Sequence, residues 1–294
     1  MTALQLDASS LEQSEYLLAD ECLIVVDGER EVVVEGDGVT RGWIRRIAPP
    51  DWRRLDAPVT HEGAVRASWV ALLVAIARGL SVEWLSDLER LFVAENKLVQ
   101  QAAARELGIA IPPSAVTSTR ERIPPDLGDS LIVKPLGPGQ FVGDEGVAQM
   151  LYARELARQA PELDALGGAP FLIQERLDAD QHLRVVTAGA RAWVCALEAG
   201  ALPVDWRRID EAHDAFVSSD EHNDFAEQAL RLTARLDVRY SSQDWLIADE
   251  RPYFLDLNPS GQWLFLPESV ASAVTAEIAT WLAGESSANA PGAG

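Results

Sequence analysis

A mixed α/β and α+β fold is the expectation for this chain, and three observations predict it. Short runs rich in β-branched and aromatic residues come in pairs split by polar turns, the pattern of antiparallel hairpins. Other stretches carry apolar residues at helical spacing. The length, 294 residues with 48% apolar content, suffices for two or three compact units with cores of their own.

Taken in order, the chain opens on a polar start and a short amphipathic segment over residues 11–18. Residues 22–26 and 30–35 form a hairpin around Asp27-Gly28-Glu29, and Gly36 to Gly38 ends it. A basic aromatic patch follows, Trp43-Ile44-Arg45-Arg46 and then Asp51-Trp52-Arg53-Arg54. Arginine beside tryptophan holds an anionic or peptidic ligand, and amphipathic surface packing accounts for it equally well. Residues 62–77 have helical spacing, and a second helix is expected over 81–91 with Trp84 and Leu85 inside it.

A new unit begins near Ala94. Residues 95–107 read as a helix that Gly108 caps and Pro112-Pro113 stops. Residues 130–134 are a short buried strand, LIVK, whose Lys134 precedes the flexible run Pro135-Leu136-Gly137-Pro138-Gly139-Gln140. Glycines beside a lysine let backbone amides and an ammonium approach phosphate oxygens, although the spacing is neither a Walker A nor a dinucleotide fingerprint. A helix is expected over 147–160, a strand over 171–177, a hairpin from 183–187 and 192–197, a helix over 225–236 and a last helix over 270–282. The tail, 284–294, is mostly Ser, Ala, Gly and Pro and is expected to be disordered.

The richest stretch is QDWLIADERPYFLDLNPSGQWLF, residues 243–265. Residues 238–248 and 252–257 read as two strands, with Asp249-Glu250-Arg251 as turn material. With Glu250 at the turn centre, Asp244 falls opposite Asp256, and Asn258 projects from the same face two residues on. Two carboxylates and an amide oxygen suit a hard divalent cation such as Mg²⁺, which keeps its other positions for water and phosphate. Pro259-Ser260-Gly261 breaks the strand and places the cluster beside a loop.

Charge narrows the function classes. With 46 acidic against 25 basic residues and a net charge of −21, neither a nonspecific nucleic-acid binder nor an anionic-membrane binder is expected. Cys22 and Cys195 lack zinc or redox spacing, and His61, His182, His213 and His222 are scattered. No basic n-region followed by an apolar h-region opens the sequence, and no uninterrupted apolar run approaches the roughly 20 residues that span a bilayer. A cytoplasmic protein with reduced thiols is the expectation.

The separated pieces fit one family. Glu95-Asn96-Lys97 heading a helix that ends in LGIAIPP, LIVK before a glycine loop, FLIQERL, and D-x(11)-D-L-N-P-S-G-Q-W in this order resemble the ATP-grasp ligases. Asn258 to Trp263, the Asp205-Trp206-Arg207 element and the first-half arrangement from WIRR to ENK make the chain most similar to graspetide (microviridin-type) peptide macrocyclases. The resemblance covers roughly residues 42–282.

That resemblance implies an ATP-grasp fold with a shortened N-terminal domain (1–93), a central lid domain (94–190) and a C-terminal domain (191–283). It implies ATP and Mg²⁺ as cofactors, a precursor peptide as substrate and a homodimer. Lys97 and Lys134 would touch phosphates, while Gln174, Glu175, Arg176 and Leu177, with Asp180, would frame the nucleotide. Asp244, Asp256 and Asn258 would hold Mg²⁺, and Arg184 and Arg207 would face the phosphates or an acyl-phosphate.

The implied activity is ATP-dependent activation of a side-chain carboxylate and its capture by a hydroxyl or amine of the same peptide, giving ester or amide rings. An intermolecular ligase joining an amino acid or small amine to a peptide or metabolite is the alternative. A non-enzymatic peptide-binding protein with a relict nucleotide site is the third reading. Three departures stand out: His182-Leu183-Arg184 where the family has D-x-R, Asp256 where it has a metal-site glutamate, and a trimmed opening βα segment.

Overall fold

In the computed structural model the described residues are 4–35, 40–47, 60–137, 139–142, 147–200 and 202–284. Gly36 to Gly38, Asp51 to Arg54, Pro138 and the tail after Gly284 lie outside them. The chain divides into two compact units, Met1–Arg90 with Ala276–Gly294, and Leu91–Thr275.

In the first unit α1 (Ala8–Glu12) is capped by Asp7, whose carboxylate accepts the Ser10 N–H. Strands β1 (Glu15–Ala19), β2 (Cys22–Asp27) and β3 (Arg30–Val34) form an antiparallel sheet, with Asp27 facing Arg30 across the expected turn. Helix α2 (His61–Gly79) packs Leu73 and Ile76 against Leu23 and Val25 of that sheet. Strand β4 (Thr40–Gly42) pairs in parallel with β5 (Val82–Trp84), and α3 (Leu88–Ala94) follows.

The helix expected over 81–91 is therefore wrong in its first half. Val82-Glu83-Trp84 pairs with residues some forty positions earlier, and Arg41 meets Glu83 at 2.9 Å. A distant strand partner overrides the local apolar spacing.

The second unit opens with α4 (Lys97–Glu106). Asn96 accepts the N–H groups of Leu98 and Val99, and Gly108 takes a φ of +69° just past the helix end. Strands β6 (Ser114–Val116), β7 (Ser130–Pro135), β10 (Arg154–Ala157) and β11 (Phe171–Glu175) make a four-stranded sheet in the order β10-β7-β11-β6. Its inner face sets Leu131 and Ile173 against Leu163 and Leu166. Strands β8 (Gln140–Val142) and β9 (Ala148–Met150) form a separate hairpin.

Residues 147–160 are thus two strands and not the expected helix. Residues 148–150 pair with β8 and residues 154–157 with β7, so hydrogen bonds to other segments decide their conformation.

Strands β12 (Gln181–Ala188), β13 (Arg191–Glu198), β14 (Val217–Ser218), β15 (Tyr240–Ala248) and β16 (Arg251–Asn258) form an antiparallel sheet ordered β14-β13-β12-β15-β16. Helices α5 (Glu211–Asp214), α6 (Asn223–Arg235) and α7 (Glu268–Leu282) complete the chain. The odd-numbered residues of β12 and β15 face α6. There Thr187, Ser241 and Gln243 share a buried hydrogen-bond network with Thr233 and the Ala229 carbonyl. Among the described residues no helix is long and apolar enough to cross a membrane.

Candidate active site

Because strand side chains alternate, the sheet face opposite α6 presents the even-numbered residues. His182 and Arg184 of β12, Asp244 of β15 and Asp256 of β16 share it. Arg184, Asp244 and Asp256 stand in one cross-strand row. The Arg184 guanidinium donates to Asp244 Oδ1 at 2.6 Å and to the Gln262 carbonyl at 3.2 Å, over the Phe265 ring.

The hairpin that aligns the two carboxylates turns on Asp249 and Glu250, both at positive φ (47° and 59°), with Ala248 opposite Arg251. A regular ladder from that turn would set Asp244 against Leu255. A bulge between Trp245 and Asp244 leaves Leu255 unpaired and restores Asp256 to the position opposite Asp244. The pairing read from the sequence is correct, and the bulge produces it in place of a turn centred on Glu250. After β16, Gly261 lies so close to Ser242 that a Cβ would sit 2.5 Å from that residue's own Cβ. Only glycine lets the Pro259-Ser260-Gly261 loop fold back here.

Lys97, at the start of α4, donates to Asp256 Oδ1 at 3.0 Å. Lys134 comes from β7 by the same alternation: Leu131 packs into the apolar core, while Lys134 faces outward to a cleft. That cleft encloses about 790 Å³ of space open to solvent, and Lys97, Lys134, Gly139, Arg207, Asp244 and Asp256 are among its lining. A second cavity of about 670 Å³ is lined by Gln174, Glu175, Arg176 and Leu177. Lys134, His182, Val204 and Leu255 border both, so the two are adjacent. Burial lowers Lys134 to about 8, against the opposing pull of Asp256. Burial likewise holds His182 below the ordinary imidazole value.

Asp205 is nearly fully buried and binds Arg207 through both oxygens at 2.7 Å, while its Oδ2 also accepts the Ala153 N–H at 3.0 Å. Burial pushes the Asp205 carboxyl up, and the guanidinium more than offsets it, leaving Asp205 below the usual carboxylate range. Arg207 is held charged by the same pair. Trp206, between them, sits in a cluster with His213, Phe216 and Phe265 that fixes this turn.

The donor chemistry fits Mg²⁺. Asp244 and Asp256 each spend one oxygen on an internal cation, Arg184 and Lys97, which leaves the second oxygen of each for a metal. Among the described residues no group of three or more His, Cys, Asp or Glu forms a complete protein cage. Mg²⁺ does not need one, since it binds through one or two carboxylates and fills the rest with water and phosphate.

The sequence-predicted residues divide three ways. Lys97, Lys134, Arg207, Asp244 and Asp256 line the first cavity, and Gln174 to Leu177 line the second. Arg184 stands behind Asp244, and Asn258 is exposed with its Oδ1 taken by the Ser260 N–H at 2.9 Å. Asp180 is outside both linings, its N–H on the Ile247 carbonyl and its own carbonyl accepting from Ala199. Sequence reading gave Asp205 and His182 no site role. The i, i+2 spacing of Asp205 and Arg207 was the available signal for the first.

No family model and no curated protein matches the sequence. Solved structures do. The macrocyclase MdnC of Microcystis aeruginosa, bound to its precursor peptide MdnA, superposes with a TM-score of 0.77 at 19% identity, over 97% of this chain and 91% of that one. A RiPP-associated ATP-grasp ligase of Chryseobacterium gregarium, in complex with ADP and a leader and core peptide, matches with a TM-score of 0.76 at 17% identity, over 92% and 84%. The macrocyclase MdnB of Microcystis aeruginosa matches with a TM-score of 0.66 at 20% identity, over 95% and 89%. The fold of this chain is that of the ATP-grasp ligases.

Proposed function

We propose that this chain is an ATP-dependent carboxylate-activating ligase that closes ester or amide rings within a ribosomally made precursor peptide. One observation carries the reading. Lys97, Lys134 and Arg207 converge with the Asp244–Asp256 pair in a single cleft that adjoins the pocket of Gln174 to Leu177. Three cations beside the carboxylates Asp205, Asp244 and Asp256 in one cleft suit a phosphate chain bound together with Mg²⁺. The ATP-grasp fold and the peptide and ADP complexes of its structural neighbours support the same reading.

On this reading the adenine lies along Gln174 to Leu177 and the phosphates reach Lys134 and Lys97. Asp244 and Asp256 would hold Mg²⁺, whose charge would offset that spreading over the transferring phosphoryl group. A substrate carboxylate oxygen attacks the γ-phosphorus, and ADP leaves. Arg207, pre-oriented by Asp205, stabilises the acyl-phosphate. A hydroxyl or amine then attacks the acyl carbon, and phosphate departs with the bond electrons. His182, kept neutral by burial, adds no cation to the seam between the cavities.

The test is to incubate purified protein with ATP, Mg²⁺ and a candidate precursor peptide, one encoded nearby that bears Thr/Ser and Glu/Asp repeats. A loss of one water per ring is expected, and a mass gain selects the intermolecular ligase. An unchanged peptide with no ADP released sinks both. The homodimer that the resemblance implies is checked by particle mass in solution.

A further inference from the structure

Strand β16 is the edge of its sheet, yet outward backbone groups of Phe254 and Leu257 find partners. The Phe254 N–H donates to the Ala110 carbonyl at 2.9 Å. Beyond the bulge, Leu257 is gripped by a single side chain. Gln100 Oε1 accepts the Leu257 N–H at 3.0 Å, and Gln100 Nε2 donates to the Leu257 carbonyl at 2.7 Å and to the Ala94 carbonyl at 2.6 Å. Gln100 is 1% exposed, and its carboxamide replaces the peptide of a missing neighbour strand.

The two groups it holds belong to the peptide planes that join Leu257 to Asp256 and to Asn258. Gripping both sets the direction in which those flanking side chains leave the strand. Lys97, one turn earlier on α4, meets Asp256 directly. One helix face therefore supplies a cation to the carboxylate and a clamp to the backbone that carries it.

We propose that Gln100 is a positioning residue for the divalent-cation site, acting through the Leu257 backbone on Asp256. The proposal rests on the Mg²⁺-nucleotide reading above and adds to it a residue outside the cleft lining. Supporting partners of metal ligands typically cost about ten- to a hundredfold in metal affinity when removed. Gln100→Leu keeps the volume and deletes all three bonds. Gln100→Glu keeps the acceptor for the Leu257 N–H and places a second acceptor against two carbonyls.

The experiment measures Mn²⁺ binding to the ADP-loaded protein by electron paramagnetic resonance, and ADP binding without metal by calorimetry. Both variants should weaken Mn²⁺ by about tenfold or more while metal-free ADP affinity stays at the wild-type value. Ala104→Gly, which loosens the same helix, should lower the melting temperature and leave Mn²⁺ affinity unchanged. Wild-type Mn²⁺ affinity in Gln100→Leu or Gln100→Glu overturns the proposal, as does an equal loss in Ala104→Gly. Should neither Gln100 variant fold, exchange of the Leu257 amide in the wild type decides: slower exchange when Mn²⁺ joins ADP supports the coupling, and an unchanged rate overturns it. A wild-type chain that binds no ADP, with or without metal, refutes the nucleotide reading itself and this role with it.

Discussion

Asp244 and Asp256 face one another across β15 and β16 only because Leu255 is bulged out of the ladder between the turn and the acid pair. The same unpaired Leu255 lines both cavities. One extra residue thus aligns the two carboxylates on one sheet face and supplies a wall to both cavities.

Removing either carboxylate should separate chemistry from folding. Asp256→Ala deletes a part-exposed ion pair with Lys97 that is worth at most about 1 kcal/mol, so the urea midpoint should barely move. Mg²⁺-dependent ligation should be abolished, and Asp244→Ala should abolish it as well. Full activity in both variants, followed by peptide mass, would end the metal-site assignment.

Lys134 gives the site a pH signature. Its pKa is lowered to about 8 from 10.5, so the native chain carries the charge at a cost below pH 8. Between about pH 8 and 10.5 the unfolded chain binds more protons at this residue, and its contribution to stability rises with pH. Affinity for ADP should run the other way, falling as pH rises through 8 as the ammonium is lost. Calorimetry from pH 6.5 to 9.5 should show this fall in the wild type and a flatter profile in Lys134→Arg. Identical profiles would remove Lys134 from the phosphate contacts.

Asp205 is the buried acid on which Arg207 depends. Asp205→Asn should lower stability by about 1–3 kcal/mol, the cost of weakening a charge-assisted bidentate pair and the Ala153 N–H bond. Ligation should slow as well, because Arg207 loses its orientation. Wild-type values in both urea unfolding and turnover would show the pair to be incidental.

The turn before the bulge carries strain that can be relieved. Asp249 and Glu250 both occupy positive φ, where a non-glycine residue costs about 1–2 kcal/mol. Glu250→Gly should raise the unfolding free energy by up to about 1 kcal/mol after the entropy cost of glycine, with activity unchanged. A lower urea midpoint would contradict this account of the turn.

Much of this protein was legible in its residues, for stated physical reasons. The β12–β13 and β15–β16 hairpins, the helix read over 95–107 and the glycine stop at Gly108 are local features, written in turn chemistry and periodicity. The order of Lys97, Lys134, Arg207, Asp244 and Asp256 was readable because each lies in a short motif. Tertiary structure decided what no window of sequence contains. Residues 82–84 and 148–157 became strands because distant segments offered their backbones partners. A bulge, and not the turn centre, set Asp244 opposite Asp256. Asn258 was turned to the Ser260 N–H, Asp205 was buried beneath Arg207, and Gln100 was set against Leu257, 157 residues away. Periodicity and capping act over a few residues, whereas hydrogen-bond partners across a sheet edge exist only once the chain has packed.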